Sequence, residues 1–226
     1  MTVVAIDGPV GSGKSTVARR VAARLGYVYL DTGAMYRAVG LLATEAGVPL
    51  DDEPAVLAAA AAAPLHFDGD GRLFAGGRDI SGEIRTLEMA AAASRVSVLP
   101  GVRSMLVSEQ RRFAADADIV MEGRDIGTNV FPDAAVKVFL TARPEVRAAR
   151  RAAELREAGD DVDDGQVLAA LLERDRRDST RAVAPLRVAA DAVEVDTSGM
   201  SLDEVVDAVV GLVGAKVGGG ISGERA

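Results

Sequence analysis

The segment GPVGSGKS, at residues 8–15, has the residue types and the spacing that bind phosphate, because it fits the pattern G-x-x-x-x-G-K-[ST]. Glycines allow backbone amides to converge on phosphate oxygens without interference from Cβ atoms. Lys14 is expected to reach the β- and γ-phosphates, and the Ser15 hydroxyl is expected to ligate Mg²⁺. The predicted binding site for a nucleoside triphosphate consists of Gly8, Pro9, Val10, Gly11, Ser12, Gly13, Lys14, Ser15 and Thr16.

A second group of cations lies in RPEVRAARR, at residues 143–151. On a helix, Arg147 and Arg151 fall on one arc together with Arg143 and Arg150. Like-charge pairs four residues apart destabilise an isolated helix by roughly 0.2–0.5 kcal/mol each. An arriving triphosphate would relieve this repulsion. The segment therefore predicts a lid that closes over the donor phosphates and excludes water.

A third segment, ERDRRDSTR at residues 173–181, is rich in arginine although the formal net charge of the chain is −8. Arg174, Asp178 and Arg181 share one helix face if the helix continues to the end of the segment, whereas Asp175 points elsewhere. Such a face offers donors for a phosphate and an acceptor for a sugar hydroxyl. A solvated ladder of ion pairs has the same spacing, so this segment alone leaves both interpretations open.

Two further segments carry polar residues just after predicted strands. DTGAMYR contains Thr32 and Arg37, and EGRDIGT contains Arg124 and Asp125. Ligands of open α/β sheets bind outside the carboxyl ends of the strands. Each segment could hold a simple ion pair of a loop, but two arginines at neighbouring strand ends together favour a second anion site.

The elements that must position these residues alternate between strands and helices. A helix is predicted over residues 14–25, another begins near Thr32 as its cap, and Ser201 and Glu204 have the spacing of a capping box before a last helix. Strands separated by helices indicate a parallel sheet that is covered on both faces. The five predicted strands are residues 2–6, 27–31, 118–122, 135–140 and 192–196.

Nearly ninety residues separate the second and third predicted strands, which is far more than a simple crossover needs. Residues 65–80 show short alternating runs broken by glycines, so they predict a small antiparallel unit. Helices are expected over about 86–99 and 101–115, divided by Pro100. We expect one domain over residues 1–226, with an inserted β unit at about 63–85, a lid at about 143–160 and a flexible tail at about 216–226.

The composition excludes several kinds of chemistry. The chain has no cysteine and only one histidine, His66, so disulfides, thiolate chemistry and multi-histidine metal sites are excluded. It shows no run of membrane-spanning length and no signal peptide, and we expect a cytoplasmic monomer without a membrane partner. The pI of about 4.8 argues against a nucleic-acid polymer as a partner. Only Lys14, Lys137 and Lys216 are lysines, so arginine position is informative and arginine number is not.

Three classes of protein use such a phosphate loop. A GTPase switch would carry an N-K-x-D segment, but the single asparagine, Asn129, precedes Val130. A motor or nucleic-acid ATPase is disfavoured by the small size, the acidic charge and the lack of an obvious aliphatic-D-E strand end. A small-molecule kinase remains, and such an enzyme needs a second anion site for its acceptor.

With these pieces in order, the sequence resembles the bacterial cytidylate kinase family of P-loop nucleoside monophosphate kinases. The resemblance rests on the segments IDGPVGSGKST, LDTGAMYR, DISGEIRT, EGRDIGTNVFPDA and ERDRRDSTRAVAPL, and it covers nearly the whole chain. It implies that ATP, with Mg²⁺, donates its γ-phosphoryl group in line to CMP or dCMP. Thr32 stands where this family often has serine, and both residues carry the hydroxyl.

The resemblance also implies a role for each candidate residue. Related kinases that act on UMP or AMP remain the alternative, and a non-catalytic nucleotide-binding module is a more distant one. The groups implied to act on the transferring phosphoryl group are Lys14, Arg124, Arg147, Arg150 and Arg151. The implied contacts of the acceptor phosphate are Arg37, Arg124 and Arg181. The implied contacts of cytosine are Ser94, Arg103 and Asp125. The implied contacts of the sugar are Arg174 and Asp178, and Thr32 is a further implied substrate contact.

Overall fold

A computed structural model of the chain describes residues 1–68, 71–157 and 159–218. The chain divides into two compact units, of which unit 1 comprises Met1–Tyr29 and Asp116–Ala226 and unit 2 comprises Leu30–Ala115. The strands are β1 (Val3–Asp7), β2 (Val28–Asp31), β3 (Leu65–Phe67), β4 (Leu73–Ala75), β5 (Arg78–Asp79), β6 (Ile119–Gly123), β7 (Val136–Thr141) and β8 (Val193–Asp196). The helices are α1 (Lys14–Leu25), α2 (Thr32–Glu45), α3 (Glu53–Ala61), α4 (Leu87–Val96), α5 (Pro100–Phe113), α6 (Pro144–Glu157), α7 (Asp164–Thr180) and α8 (Leu202–Gly218).

The main sheet has five strands in the order β2-β6-β1-β7-β8. β1 pairs in parallel with β6 and β7, and β7 pairs in parallel with β8. Every residue of β1 is buried, as expected for the central strand of a sheet that is covered on both faces. The predicted α/β fold with five parallel strands is therefore confirmed.

The core of unit 1 is aliphatic, as the low aromatic content predicts. Val4 and Ile6 of β1 pack with Val17 and Val21 of α1 and with Val209 of α8 in one buried cluster. These residues recur with period two on the strand and with helical spacing on α1, so each element buries one apolar face. This packing fixes α1 against the sheet and thereby fixes the loop that joins β1 to α1.

The ends of α1 follow from glycine. Gly13, just before the helix, has a φ of 84°, and Gly26, just after it, has a φ of 69°. The backbone N–H of Gly26 donates to the carbonyl of Ala22 and so satisfies one of the last carbonyls of the helix. The predicted span of residues 14–25 is confirmed.

Unit 2 combines helices with the antiparallel sheet β3-β4-β5. Gly40 of α2 lies against Ala92 of α4, where an added Cβ would stand 2.8 Å from the Ala92 Cβ, so the two helices pack closely. The antiparallel sheet confirms the predicted small β unit, although residues 69 and 70 of its hairpin lie outside the described residues.

Three local details refine the sequence predictions. Asp31, and not Thr32, caps α2, because the Asp31 carboxylate accepts a hydrogen bond from Ala34 N at 2.9 Å. α4 and α5 are two helices, as predicted, and Pro100 is the first residue of α5, a position where its missing N–H costs nothing. The Ser201–Glu204 capping box is confirmed, since each side chain accepts from the backbone N–H of the other residue.

The predicted tail and lid extend beyond what the structure describes. α8 continues through Lys216 to Gly218, and the remaining tail residues, 219–226, lie outside the described residues, as does Ala158 of the predicted lid. None of the helices described for this chain is both long enough and apolar enough to span a membrane.

Candidate active site

The loop between β1 and α1 is closely surrounded by backbone atoms. Gly8 has a φ of 152°, and an added Cβ would stand 2.0 Å from the Leu140 carbonyl oxygen of β7. Gly11 has a φ of 72°, and its Cβ would stand 2.8 Å from the carbonyl oxygen of Arg147 on α6. Both positions therefore require glycine, which confirms the geometric reason for the glycines of the phosphate-loop pattern.

The ammonium group of Lys14 is held inside this loop. The residue is buried, and its Nζ donates to the Pro9 carbonyl oxygen at 2.6 Å and to Ser12 Oγ at 3.3 Å. A compact cation surrounded by loop carbonyls and amides is the arrangement that cradles a polyphosphate.

Other cations converge on Lys14. Its pKa is lowered to about 7, first by burial and then by the positive charges of Arg124 and, more weakly, Arg174. The negative charges of Glu122 and Asp7 act in the opposite direction. Three cations that disfavour one another in a buried place form a site that a polyanion would stabilise.

Asp7, the last residue of β1, joins this loop to the segment after β6. Its Oδ1 accepts from Ile126 N at 2.9 Å and its Oδ2 accepts from Gly127 N at 2.8 Å. Burial raises the pKa of Asp7 to about 6, although these two hydrogen bonds lower it. Sequence reasoning did not assign a role to Asp7.

Arg124 lies just after β6 and binds α7. Its Nε donates to Asp178 Oδ2 at 3.0 Å, and its Nη1 donates to the Gly123 carbonyl oxygen at 3.3 Å. Burial disfavours the ionised form of Asp178, but the positive charges of Arg124, Arg174 and Arg181 outweigh that effect and lower its pKa. Asp178 is therefore a carboxylate held ionised among three arginines.

Asp125 makes a second connection between the end of β6 and the end of α7. Arg181 Nη2 stands 3.4 Å from Asp125 Oδ1, and Asn129 Nδ2 donates to Asp125 Oδ2 at 3.0 Å. Arg181 Nε also donates to the Ala184 carbonyl oxygen at 2.6 Å. α7 ends at Thr180, so Arg181 follows the helix and is directed by this tight contact. Unit 1 thus brings together the predicted site residues Arg124, Asp125, Arg174, Asp178 and Arg181.

Arg147 of α6 is engaged with the phosphate loop. Its side chain is only 6% exposed and pairs with Asp175 at 2.7 Å. It also donates to the carbonyl oxygens of Ala142 at 2.9 Å and Val10 at 3.1 Å. Asp175 lies off the face of Arg174 and Asp178, as predicted, but its partnership with Arg147 was not predicted.

The other two predicted lid arginines bind different partners. Arg150 donates to Thr197 Oγ1 at 2.9 Å and to the Thr197 carbonyl oxygen at 2.8 Å. Arg151 pairs with Glu154 at 3.0 Å, and its side chain is 32% exposed. Arg143 of the predicted arc precedes α6 instead of lying within it.

In unit 2, Arg37 is oriented by the residue that caps its helix. Its Nη2 donates to Asp31 Oδ2 at 2.8 Å, while Asp31 Oδ1 accepts from the backbone of Ala34. Thr32 is buried as the first residue of α2. The signal for Asp31 was present in the sequence, because an aspartate just before a helix is a preferred cap.

Arg103 and Ser94 are linked through one serine of unit 2. Arg103 is buried, its Nη1 donates to the Ser97 carbonyl oxygen at 3.2 Å, and its guanidinium lies 5.6 Å from the ring centroid of Tyr36. Ser97 Oγ in turn donates to the Ser94 carbonyl oxygen at 3.1 Å. Unit 2 therefore places these two predicted base contacts at the junction of α4 and α5.

The donor groups of the loop suit Mg²⁺ that enters with a nucleotide. Within the part of the chain that the structure describes, no group of three or more His, Cys, Asp or Glu residues could hold a metal ion. Ser15 is exposed in the first turn of α1 and offers one hydroxyl oxygen. Mg²⁺ usually keeps several waters and binds substrate phosphates with few protein ligands, so this donor set fits it.

A glycine loop between a central parallel strand and a helix, with cations gathered on its lysine, defines the class of P-loop kinases. Solved structures agree on the fold. A shikimate kinase from Bacteroides thetaiotaomicron matches with a TM-score of 0.52 and 14% identity, over 96% of this chain and 98% of the other. A gluconokinase from Sinorhizobium meliloti 1021 matches with a TM-score of 0.50 and 17% identity, over 99% of this chain and 98% of the other.

Sequence comparison is more specific. The family model for cytidylate kinase matches residues 4–215. A cytidylate kinase from Solibacter usitatus is 48% identical over 220 residues, which are 96% of this chain and 94% of the relative. Another cytidylate kinase, from Pelotomaculum thermopropionicum, is 50% identical over 216 residues, which are 94% of this chain and 96% of the relative. This chain belongs to the cytidylate kinase family, and the predicted resemblance is confirmed.

Proposed function

We propose that this chain, as a monomer, transfers the γ-phosphoryl group of ATP in line to the phosphate of CMP or dCMP, with Mg²⁺ bound to the donor. Phosphorylation of CMP to CDP by ATP is the reaction of the family to which the chain belongs.

The convergence of cations on Lys14 is the observation that carries the proposal. Arg124 and Arg174 lie close enough to lower the pKa of Lys14, which is already lowered by burial. A polyphosphate would favour the charged form of Lys14 and would reduce its repulsion with the two guanidinium groups. Phosphoryl transfer requires this kind of positive site, because the transition state spreads negative charge over the equatorial oxygens.

Each part of unit 1 has a proposed task in the transfer. The amides of residues 8–15 and Lys14 hold the β- and γ-phosphates, and Arg124 and Arg181 hold the phosphate of the acceptor. Ser15 would hold Mg²⁺, which neutralises charge on the β- and γ-oxygens when it is bound. No protein nucleophile is needed, so the absence of cysteine is compatible with this chemistry.

We assign the carboxylates of the β6–α7 region to the nucleoside. Asp178 is held ionised by three arginines and can accept a hydrogen bond from a sugar hydroxyl, with Arg174 beside it. Asp125 can accept from the N4 amino group of cytosine, whereas uracil presents an O4 acceptor at the same place. Buried mispairing of this kind discriminates strongly between substrates.

The proposed contacts in unit 2 follow from donors that the fold orients. Arg37, fixed by Asp31, is a donor for the acceptor phosphate, with the buried Thr32 next to Asp31. Arg103, with Ser94, is a donor for the acceptor atoms of cytosine, since a guanidinium can only donate.

The α6 arginines have a proposed task on closure. Arg150 and Arg151 would exchange Thr197 and Glu154 for donor phosphate oxygens. Arg147 already reaches the phosphate loop through the Val10 carbonyl oxygen and would stabilise the transferring group from there. Closure of this kind excludes water from the transfer.

The base assignment is tested with Asp125→Asn, which can donate to uracil O4. We expect the ratio of kcat/KM for CMP to that for UMP to fall by about tenfold or more, because one buried mispairing is removed. Asp203→Asn is the matched control, since Asp203 is an exposed partner of Arg20 and is not part of the proposed site. An unchanged ratio in Asp125→Asn would exclude Asp125 as the base-reading residue.

A further inference from the structure

One turn of π-helix, Ile126–Val130, follows directly after Arg124 and Asp125. It is closed by Val130 N donating to the Asp125 carbonyl oxygen at 3.2 Å, with Phe131 N donating to the Ile126 carbonyl oxygen at 2.7 Å. Turns of this kind are rare and are found mainly at functional sites. The turn determines where the backbone of Asp125 lies, so the residues that hold the turn also place the Asp125 side chain.

Asp7 holds the beginning of this turn from β1. Both of its carboxylate oxygens are used, one for the N–H of Ile126 and one for the N–H of Gly127, at 2.9 and 2.8 Å. Asp7 is buried, and it is covalently attached to Gly8, the first residue of the phosphate loop. One side chain therefore connects the loop that binds the donor to the turn that follows Asp125.

Lys137 of β7 holds the same turn from another side. A Cβ added to Gly127 would stand 3.1 Å from Lys137 Cδ and 3.2 Å from its Cγ, and 3.5 Å from Asp7 Oδ2. Lys137 Nζ donates to the carbonyl oxygen of Pro132, just beyond the turn, and to Asp191 at 2.8 Å. Gly127 thus lies between a carboxylate and an aliphatic stem, and a side chain at this position would have to displace the stem of Lys137.

We propose that Asp7 is a positioning residue for the choice of the acceptor base. Asp7 fixes the π-helical turn, and the turn fixes the position of Asp125. The carboxylate of Asp125 is also bound by Arg181 and Asn129. This inference rests on the proposed role of Asp125 as the base-reading residue. We assign Asp7 no contact with the base, and both of its oxygens accept backbone hydrogen bonds of the turn.

Asp7→Asn tests this role with little change in size. An amide has one acceptor oxygen, and its NH₂ group would face the second backbone N–H, so one hydrogen bond is replaced by a repulsive donor–donor contact. The loss of one buried hydrogen bond corresponds to about a tenfold change in an equilibrium. We expect the CMP-to-UMP ratio of kcat/KM to fall by about tenfold, with KM for CMP rising more than KM for ATP.

Two variants make the result specific. Glu122→Gln changes another buried acid that, like Asp7, acts on Lys14; its Oε1 accepts from Tyr29 Oη at 2.6 Å, and we expect the base ratio to stay unchanged. Gly127→Ala pushes against the stem of Lys137, whereas Asp7 Oδ2 at 3.5 Å is in ordinary contact, and it should lower the ratio in the same direction as Asp7→Asn because it displaces the same turn. If Asp7→Asn does not fold, an unchanged ratio in folded Gly127→Ala overturns the inference, because the turn would then not place Asp125.

The outcomes separate this inference from the proposed function. If Asp125→Asn lowers the CMP-to-UMP ratio but folded Asp7→Asn keeps the wild-type ratio, Asp7 is not a positioning residue. If Asp125→Asn keeps the ratio, the base-reading assignment fails and the role of Asp7 fails with it. A ratio that falls in Asp125→Asn, Asp7→Asn and Gly127→Ala, but not in Glu122→Gln, supports the inference.

Discussion

Unit 1 contains two groups of arginines with different surroundings. The α6 arginines, Arg147, Arg150 and Arg151, each bind carbonyl, hydroxyl or carboxylate oxygens of nearby residues. The β6–α7 arginines are Arg124, Arg174 and Arg181; they surround Asp178 and Asp125, and two of them also act on Lys14.

The comparison shows why the number of arginines in a segment is a poor guide to its role. The α6 segment has the denser run of like charges, yet its side chains find partners within the fold. The β6–α7 group comes from distant parts of the chain. Arg124 and Arg181 pair with the carboxylates of Asp178 and Asp125, and Arg124 and Arg174 also act on the buried Lys14. A site for a polyanion is therefore indicated by where cations converge and not by how many lie in sequence.

Removal of Lys14, the cation on which Arg124 and Arg174 act, should have the largest effect on turnover. Lys14→Ala is expected to lower kcat by about 100-fold or more, because it removes charge stabilisation from the transferring group, while the fold is retained. Lys216→Ala, on α8, is the matched control and should behave as wild type in the same steady-state assay. Near-normal turnover of Lys14→Ala would contradict the assignment of the loop.

Asp178 tests whether the β6–α7 group orients a substrate or only stabilises a helix. Asp178→Ala should raise KM for the nucleotide and lower kcat, together by about 10- to 100-fold in kcat/KM, because a misplaced sugar misaligns the attacking oxygen. The effect should differ between CMP and dCMP. Lower thermal stability with unchanged kinetics for both substrates would instead indicate a ladder of ion pairs.

The α6 arginines should differ from one another in stability. Arg147→Ala breaks a buried pair and should destabilise the protein by about 3–5 kcal/mol, whereas Arg151→Ala removes a partly exposed pair of about 0.5 kcal/mol. Thermal unfolding measures this difference. Both variants should lower turnover more than CMP affinity, and a loss of CMP affinity alone would contradict the lid assignment.

An effect smaller than the loss of the Arg147 pair is a pH dependence that comes from Asp7. Its pKa is raised by burial from 3.8 to about 6, so the folded state binds an extra proton between these values. The stability that this proton contributes is present below the unfolded pKa and is lost as the pH rises through about 6. The charges near Asp7 are Asp125 and Lys14, while Ile126 and Gly127 contribute backbone donors.

Urea unfolding of wild type and Asp7→Asn checks this sign. From pH 7.5 to pH 5, the wild type should gain about 1 kcal/mol of unfolding free energy relative to Asp7→Asn. The difference between the two proteins removes the contribution of titrating groups that do not interact with Asp7. A relative loss of wild-type stability over the same interval would contradict the raised pKa.

Much of the fold was predictable because its signals are local. The phosphate loop combines glycines with an apolar strand before it and a helix after it, and Gly26 marks the end of α1. The Ser201–Glu204 box depends on residues only three positions apart. The spacing of apolar residues and the turn-forming residues within short segments were sufficient to predict the five strands of the main sheet and the small antiparallel sheet.

The missed partners depend on contacts between distant segments. Asp7 binds backbone groups that lie 119 and 120 residues further along the chain. Asp175 meets Arg147 only because α6 and α7 pack together, and no spacing in either helix indicates it. Spacing on α7 correctly grouped Arg174 with Asp178, but only the fold shows that Arg124 comes from β6 to join them.

A single assay tests the central claim most directly. ADP release is measured with ATP and Mg²⁺ for CMP, dCMP, UMP, AMP and shikimate under identical conditions. We predict the highest kcat/KM for CMP and dCMP, a value lower by a factor of about 100 or more for UMP, and negligible turnover of AMP and shikimate. Turnover of AMP, UMP or shikimate as efficient as that of CMP would contradict the assignment of the acceptor.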